Sequence, residues 1–182
     1  MKKVALILFA LLISASTIFA QKPYNNSVGG VVGFIEGFSY KGFPMDNFAI
    51  QADAGYSVWN YHIGSSLKAN ANFMYEGNIG KGWHWFAGGG ISFGWCFWKE
   101  DYLRHSDWHY YHPVYFGINA IGGAEYKFAN IPLTLQADVR PGVFFYTHKY
   151  NTWDINHNAK VKSELVPAFD YNLVQISARY TF

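Results

Sequence analysis

Charge is what this sequence has least of. Asp, Glu, Lys and Arg make up 14% of its 182 residues, against about 25% in ordinary soluble domains. A surface that meets water on every side needs more, so part of this protein faces something else. Cysteine is nearly absent. Cys96 stands alone, which excludes an intrachain disulfide framework. The two signs of charge nearly cancel, and a formal net charge of +2 gives no basic surface for nucleic acid. Beyond the N-terminus no apolar run approaches the ~18 residues of a membrane helix. Mean hydropathy is close to neutral, at -0.04.

Aromatic residues, in contrast, make up 20% of the chain. Many aromatics, little charge and no hydrophobic helix combine naturally in a transmembrane barrel, where apolar and polar residues alternate and cancel in any average. The first residues fit an exported protein. Lys2 and Lys3 precede the apolar run "VALILFALLISASTIFA", and Ala20 is a small residue before Gln21. This is the pattern of a secretory signal peptide over residues 1–20, leaving 21–182 as one domain by length.

Alternation runs through the rest of the chain. Side chains on a strand point to opposite faces with period two. In "DYNLVQISARYTF", Val174, Ile176, Ala178, Tyr180 and Phe182 share one face, and Gln175, Ser177, Arg179 and Thr181 the other. "IPLTLQADVRPGVFFY", "VYFGINAIGGAEYKF", "WHWFAGGGISFGWCF", "SLKANANFMYE" and "NFAIQADAGYSV" keep the same rhythm. Residues 28–43 read as two more strands, about 28–35 and 37–43, folding back near Glu36-Gly37. The expected fold is therefore all-β: a transmembrane antiparallel up-and-down β-barrel of eight strands. An even count is the bacterial rule.

Short turns are expected at the periplasmic end and long connections outside. "KGFPMD", "EGNIGKG" and "FANIP" are the short ones; residues 98–113 and 147–169 are the long ones. Tyr40, Tyr75, Trp83, Trp85, Tyr126, Phe128, Tyr180 and Phe182 are expected in an inner aromatic girdle, Tyr56, Trp59, Trp95, Phe97, Trp98 and Phe145 in an outer one. The interior of eight strands is about wide enough to be filled by side chains. Its expected charges are Glu36, Asp53, Glu76, Glu125 and Asp138 against Lys41, Lys68, Lys127, Arg140 and Arg179. Acids and bases balance, as buried ions require.

The terminal "ISARYTF", with Tyr180 two places before Phe182, resembles the signal by which outer-membrane barrels reach the barrel-assembly machinery. "WFAGGGISFGW" and "GAEYKFANIPLTLQADVRPG" resemble small bacterial outer-membrane β-barrel proteins, of the OmpA/OmpX-like eight-stranded size class. The resemblance spans nearly all of residues 21–182. It implies outer-membrane location, with lipid and lipopolysaccharide as surroundings, and it carries no defined activity.

Chemistry is sparse. "RHSDWHYYH" sets His105, Ser106 and Asp107 side by side, but adjacent side chains diverge on an extended chain, and a nucleophile needs its base within about 3 Å. His105, His109 and His112 with Asp101 and Asp107 match no standard metal spacing. No catalytic residue, metal or cofactor is expected. Gly88, Gly89, Gly90, Gly122 and Gly123 lie mid-strand and cradle no phosphate. Trp98, Tyr102, Trp108, Tyr110, Tyr111, Tyr150 and Trp153 crowd the long connections, where such rings stack on sugars or anchor a protein partner. The reading is a monomeric barrel with a plugged polar lumen and a structural or surface-recognition role. Its alternatives are a lipid A-modifying enzyme and a narrow ion channel.

Overall fold

A computed structural model describes residues 22–60, 64–98, 109–153, 159–170 and 173–182, so the expected signal peptide lies outside the described residues. Ten strands follow one another: β1 (Asn26–Gly33), β2 (Glu36–Met45), β3 (Phe48–Asn60), β4 (Gly64–Gly80), β5 (Trp83–Trp98), β6 (His109–Lys127), β7 (Leu133–Val139), β8 (Gly142–Trp153), β9 (Ala159–Phe169) and β10 (Val174–Thr181). Every pairing is antiparallel, and no helix occurs among the described residues. β1 to β6 pair in chain order. β6 then pairs with β7 along its lower half and with β8 along its upper half. β7 meets β10, and β10 returns to β1. β7 with β8 forms one stave and β9 with β10 another, so ten ladder segments make a closed barrel of eight staves.

The register sets the tilt. A line across the strands from Gly37 through Gly55 reaches Lys68 on β4. Drawn the other way, through Val31, Ser177, Gln136, Glu125 and His84, it reaches Asn78, ten residues further along the same strand. With a rise of ~3.3 Å per residue and strands ~4.8 Å apart, a shear of ten tilts eight strands by about 40° on a cylinder of about 8 Å radius. That is a space for packed side chains.

The lower end carries the tight turns. At Lys81-Gly82 both residues have positive φ, 53° and 83°, the geometry that matches hairpin twist. At the upper end the β1–β2 hairpin is present as expected, but its tip lies at Phe34-Ile35 rather than Glu36-Gly37. Gly33, with φ 115°, starts the turn, and Phe34 and Ile35 fold inward to full burial. This hairpin is short. Glu36 is level with Tyr56, while β3 continues to Asn60 and β8 to Trp153, so the rim is cut low at β1 and β2.

The two long connections are shorter than expected. Strand persists through Trp98 and resumes at His109, and most of 147–169 belongs to the β8–β9 hairpin, paired from Val143↔Phe169 to Trp153↔Ala159. Above the wall the sequence "THKYNTW" shows no apolar–polar alternation, yet the ladder continues through it. Among the described residues β9 pairs with β8 alone.

Two staves break at the same height. Pro141 has no N–H to donate, and the ladder lapses at Arg140-Pro141 and, on the neighbouring stave, at Asp170 and Leu173. The Arg140 N–H donates to Leu173 O at 2.7 Å, and that of Asp170 to Gly142 O at 3.0 Å, so each break closes on the other. Both side chains enter the interior.

Glycines make room inside. A Cβ on Gly94 would overlap the ring of Tyr115, which lies across it from β6. Gly94→Val should therefore lower unfolding free energy by about 1–3 kcal/mol, the usual cost of overpacking. In equilibrium urea unfolding, adding Tyr115→Ala should recover part of that loss; an additive pair would contradict the packing.

Candidate functional site: the charged interior

The inward faces of β2 to β7 and β10 deliver polar side chains to the lumen, where most of them join one linked network. Its hub is Arg140, fully buried. Its Nη1 donates to Asp53 at 2.6 Å and Asn70 at 3.0 Å, and its Nε to Asp138 at 2.6 Å. One guanidinium thus serves β3, β4 and its own stave. Two carboxylates around one cation leave an acid in surplus, and amides absorb it. Gln51 donates to both oxygens of Asp53 at 3.1 Å, Gln175 to Asp53 at 3.2 Å and Gln136 to Asp138 at 2.6 Å. Beside the hub, Asn70, Asn72 and Asn119 bond to one another across β4 and β6.

A second cluster lies lower. Lys41 bridges Glu76 at 2.5 Å and Glu125 at 2.9 Å, and Glu125 also accepts from Arg179 at 2.7 Å. Gln136 joins the clusters, accepting from Arg179 and donating to Gln51 at 3.1 Å. Glu76, Glu125 and Arg179 each keep one polar atom without a hydrogen-bond partner, so this cluster is less completely bonded than the hub. Lys41 also lies 5.0 Å from the ring centre of Phe86 and 5.2 Å from that of Phe43, within cation–π range.

Apolar groups seal the two ends. Below, Tyr24, Phe43, Ala49, Met74, Phe86 and Ile121 form one buried cluster, with Tyr24 edge-on to Phe43 at 5.2 Å. Burial holds the Tyr24 phenol well above its ordinary pKa by desolvating its charged form. Above, the hairpin tip drops Phe34 beneath Lys68, whose Nζ lies 3.2 Å from the ring centre. Lys68 completes the lid by pairing with Asp170 at 2.8 Å.

Of the ten charges expected in the lumen, Lys41, Asp53, Lys68, Glu76, Glu125, Asp138, Arg140 and Arg179 are buried there. Glu36 is not. It is exposed on the outward face with Phe38 and Tyr40, because the turn comes before it and its parity on β2 is opposite to that of Lys41. Lys127 is half-buried and caps the lower turn, donating to Phe128 O at 2.8 Å and Ile131 O at 3.0 Å rather than to a carboxylate. Asp170 was the missed member. It sits on a strand break, where alternation gives no warning.

Tyr180 and Phe182 both face outward, and Phe182 exchanges backbone hydrogen bonds of 2.8 and 2.9 Å with Asn26 at the closing seam. Among the loop aromatics, Tyr102 and Trp108 lie outside the described residues, as do Asp101, His105, Ser106 and Asp107. Trp98, Tyr110, Tyr111, Tyr150 and Trp153 are on the upper ends of β5, β6 and β8. Among the described residues no three His, Cys, Asp or Glu side chains gather as a metal site would need.

Compared with known proteins, the chain matches no family model and no curated sequence. The interior must speak for itself. Its cations and acids are tied to one another, and apolar side chains lie across both of its ends. Arg140→Ala leaves Asp53 and Asp138 buried without their cation and should cost about 3–5 kcal/mol in equilibrium urea unfolding. Lys127→Ala, at a partly exposed turn, should cost less than about 1 kcal/mol in the same measurement. Equal losses would refute the assignment of the hub.

Proposed function

We propose that the protein is an integral outer-membrane β-barrel of a Gram-negative bacterium, a monomer with a plugged lumen, which works through recognition at its upper end. One observation carries the reading: polarity is inverted. The interior holds ions and amides, while the outward face is a belt of bare apolar side chains, with Phe38 78% and Ile91 65% exposed. A soluble monomer rarely shows an apolar patch beyond a few hundred Å², and burial of such area is worth roughly 25 cal/mol per Å². Hydrocarbon is the solvent that removes this cost. In hydrocarbon a sheet must also close, because unpaired backbone groups find no water.

The dimensions support the same reading. Tyr75, Trp83, Trp85, Tyr126 and Tyr180 ring the lower end; Tyr56, Trp95, Phe116 and Phe145 ring the upper. Ten residues of β5 separate Trp85 from Trp95, about 25 Å of axial height at this tilt, which is the thickness of an outer-membrane apolar band. Lipid and lipopolysaccharide are then the surroundings of the wall, and the barrel-assembly machinery is its partner during insertion. The terminal Tyr180 and Phe182 serve as the address.

Recognition falls to the part that outlasts the wall. The upper halves of β6 and β8 continue with β9 into a three-stranded blade. Tyr110, Tyr111, Tyr150 and Trp153 on this blade, Trp98 at the end of β5, and Tyr102 and Trp108 outside the described residues are the aromatics suited to a glycan or protein ligand. No catalytic role is assigned.

Refolded protein should float with lipid vesicles, show β-rich circular dichroism and give no steady conductance in planar bilayers. Added proteinase should trim the upper blade and spare the closed section. A compact monomer in detergent-free buffer would sink the membrane reading. Steady ion conductance would sink the plugged lumen alone.

A further inference from the structure

The belt is not uniform. On the outward face of β3 and β4 four alanines form a square, Ala54 opposite Ala69 and Ala52 opposite Ala71. Their neighbours across the ladder are large: Phe38 and Tyr40 on β2, Phe93 and Ile91 on β5. Methyl groups between tall ridges leave a hollow of about 640 Å³, within the range of small-molecule sites. Its outward lining carries no charge. Immediately above one ridge stands Glu36, on the same face as Phe38 and two residues along β2. It is exposed, and no hydrogen bond or ion pair joins it to a described residue. Around it on that face are Val32, Tyr56 and Ile176, all largely bare.

A carboxylate on an apolar face is costly at membrane depth and marks a site by default. Here its position has a further meaning. Phe34 and Ile35 turn inward just above it, so Glu36 is the last outward side chain of the wall in this sector, where the rim is cut low. Headgroups that follow the rim meet it, while the chains beneath them lie across the hollow. A lone negative charge repels phosphate and attracts an ammonium. We propose that β2–β5 bear a binding site for a membrane lipid with an ammonium headgroup, its ammonium on Glu36 and an acyl chain over the alanine square. This rests on the reading of the outward face as lipid-facing.

The test is native mass spectrometry of the refolded mature chain in non-ionic micelles with equimolar phosphatidylethanolamine and phosphatidylglycerol of identical chains. The wild type should retain phosphatidylethanolamine about fivefold over phosphatidylglycerol, the worth of one partly exposed ion pair. Glu36→Gln should equalise the two. Ala54→Phe with Ala69→Phe should reduce retention of both, with folding checked by circular dichroism. Equal retention by the wild type, or a phosphatidylethanolamine preference that survives Glu36→Gln, overturns the proposal. Dimer masses that disappear in the alanine double variant assign the hollow to a second copy and overturn it as well. A barrel that inserts but does not discriminate fails only this site; a chain that never enters micelles fails the membrane reading beneath it.

Discussion

Arg140 is a full positive charge held where no water reaches it, and much of the barrel is arranged around keeping it accompanied. Coulomb attraction in the interior does little more than repay the desolvation of the ions, so such pairs are weak sources of net stability. Their force lies in the penalty for misplacement. The side-chain period of a strand is two, and a slip of one residue would carry Asp53 or Asp138 to the outward face. Asp53, Asn70 and Asp138 come from different strands, so the hub holds several registers at once. The low rim, the closing seam and the tilt all follow from those registers.

The same alternation that sends ions inward sends apolar groups outward, and the two cannot be separated. A lumen rich in acids and bases could in principle conduct. Here the side chains that would line a path are bonded to each other, with Phe34 across one end and Tyr24 and Phe43 across the other. Among the described residues, the belt and the upper blade are surfaces that this internal bonding leaves free.

Much of this was legible in the sequence. β3, β4, β5, β7 and β10 alternate cleanly, and eight of ten expected interior charges are where alternation put them. The failures have physical causes. Glu36 was misassigned because the turn falls two residues earlier than expected, which puts Glu36 on β2 with parity opposite to Lys41, and only tertiary packing of Phe34 and Ile35 sets that turn. Asp170 escaped because it lies on a broken stave, and the break is matched to Pro141 on the neighbouring stave rather than signalled locally. The upper hairpin read as a loop because "THKYNTW" carries no apolar–polar period in sequence. Met74 and Phe86 ran against the simple rule of polar inside, because the stoppers of the lumen are apolar.

The seam between β1 and β10 couples Ser27 to Thr181, the two most distant strands in sequence. No local hairpin can stand in for that union. Until it forms, the growing sheet carries two raw borders, each an invitation to a neighbouring molecule. Contacts of such long range also form slowly. In a sheet built this way the last pairing to form is the one that completes its shape, and the same act removes its capacity to aggregate.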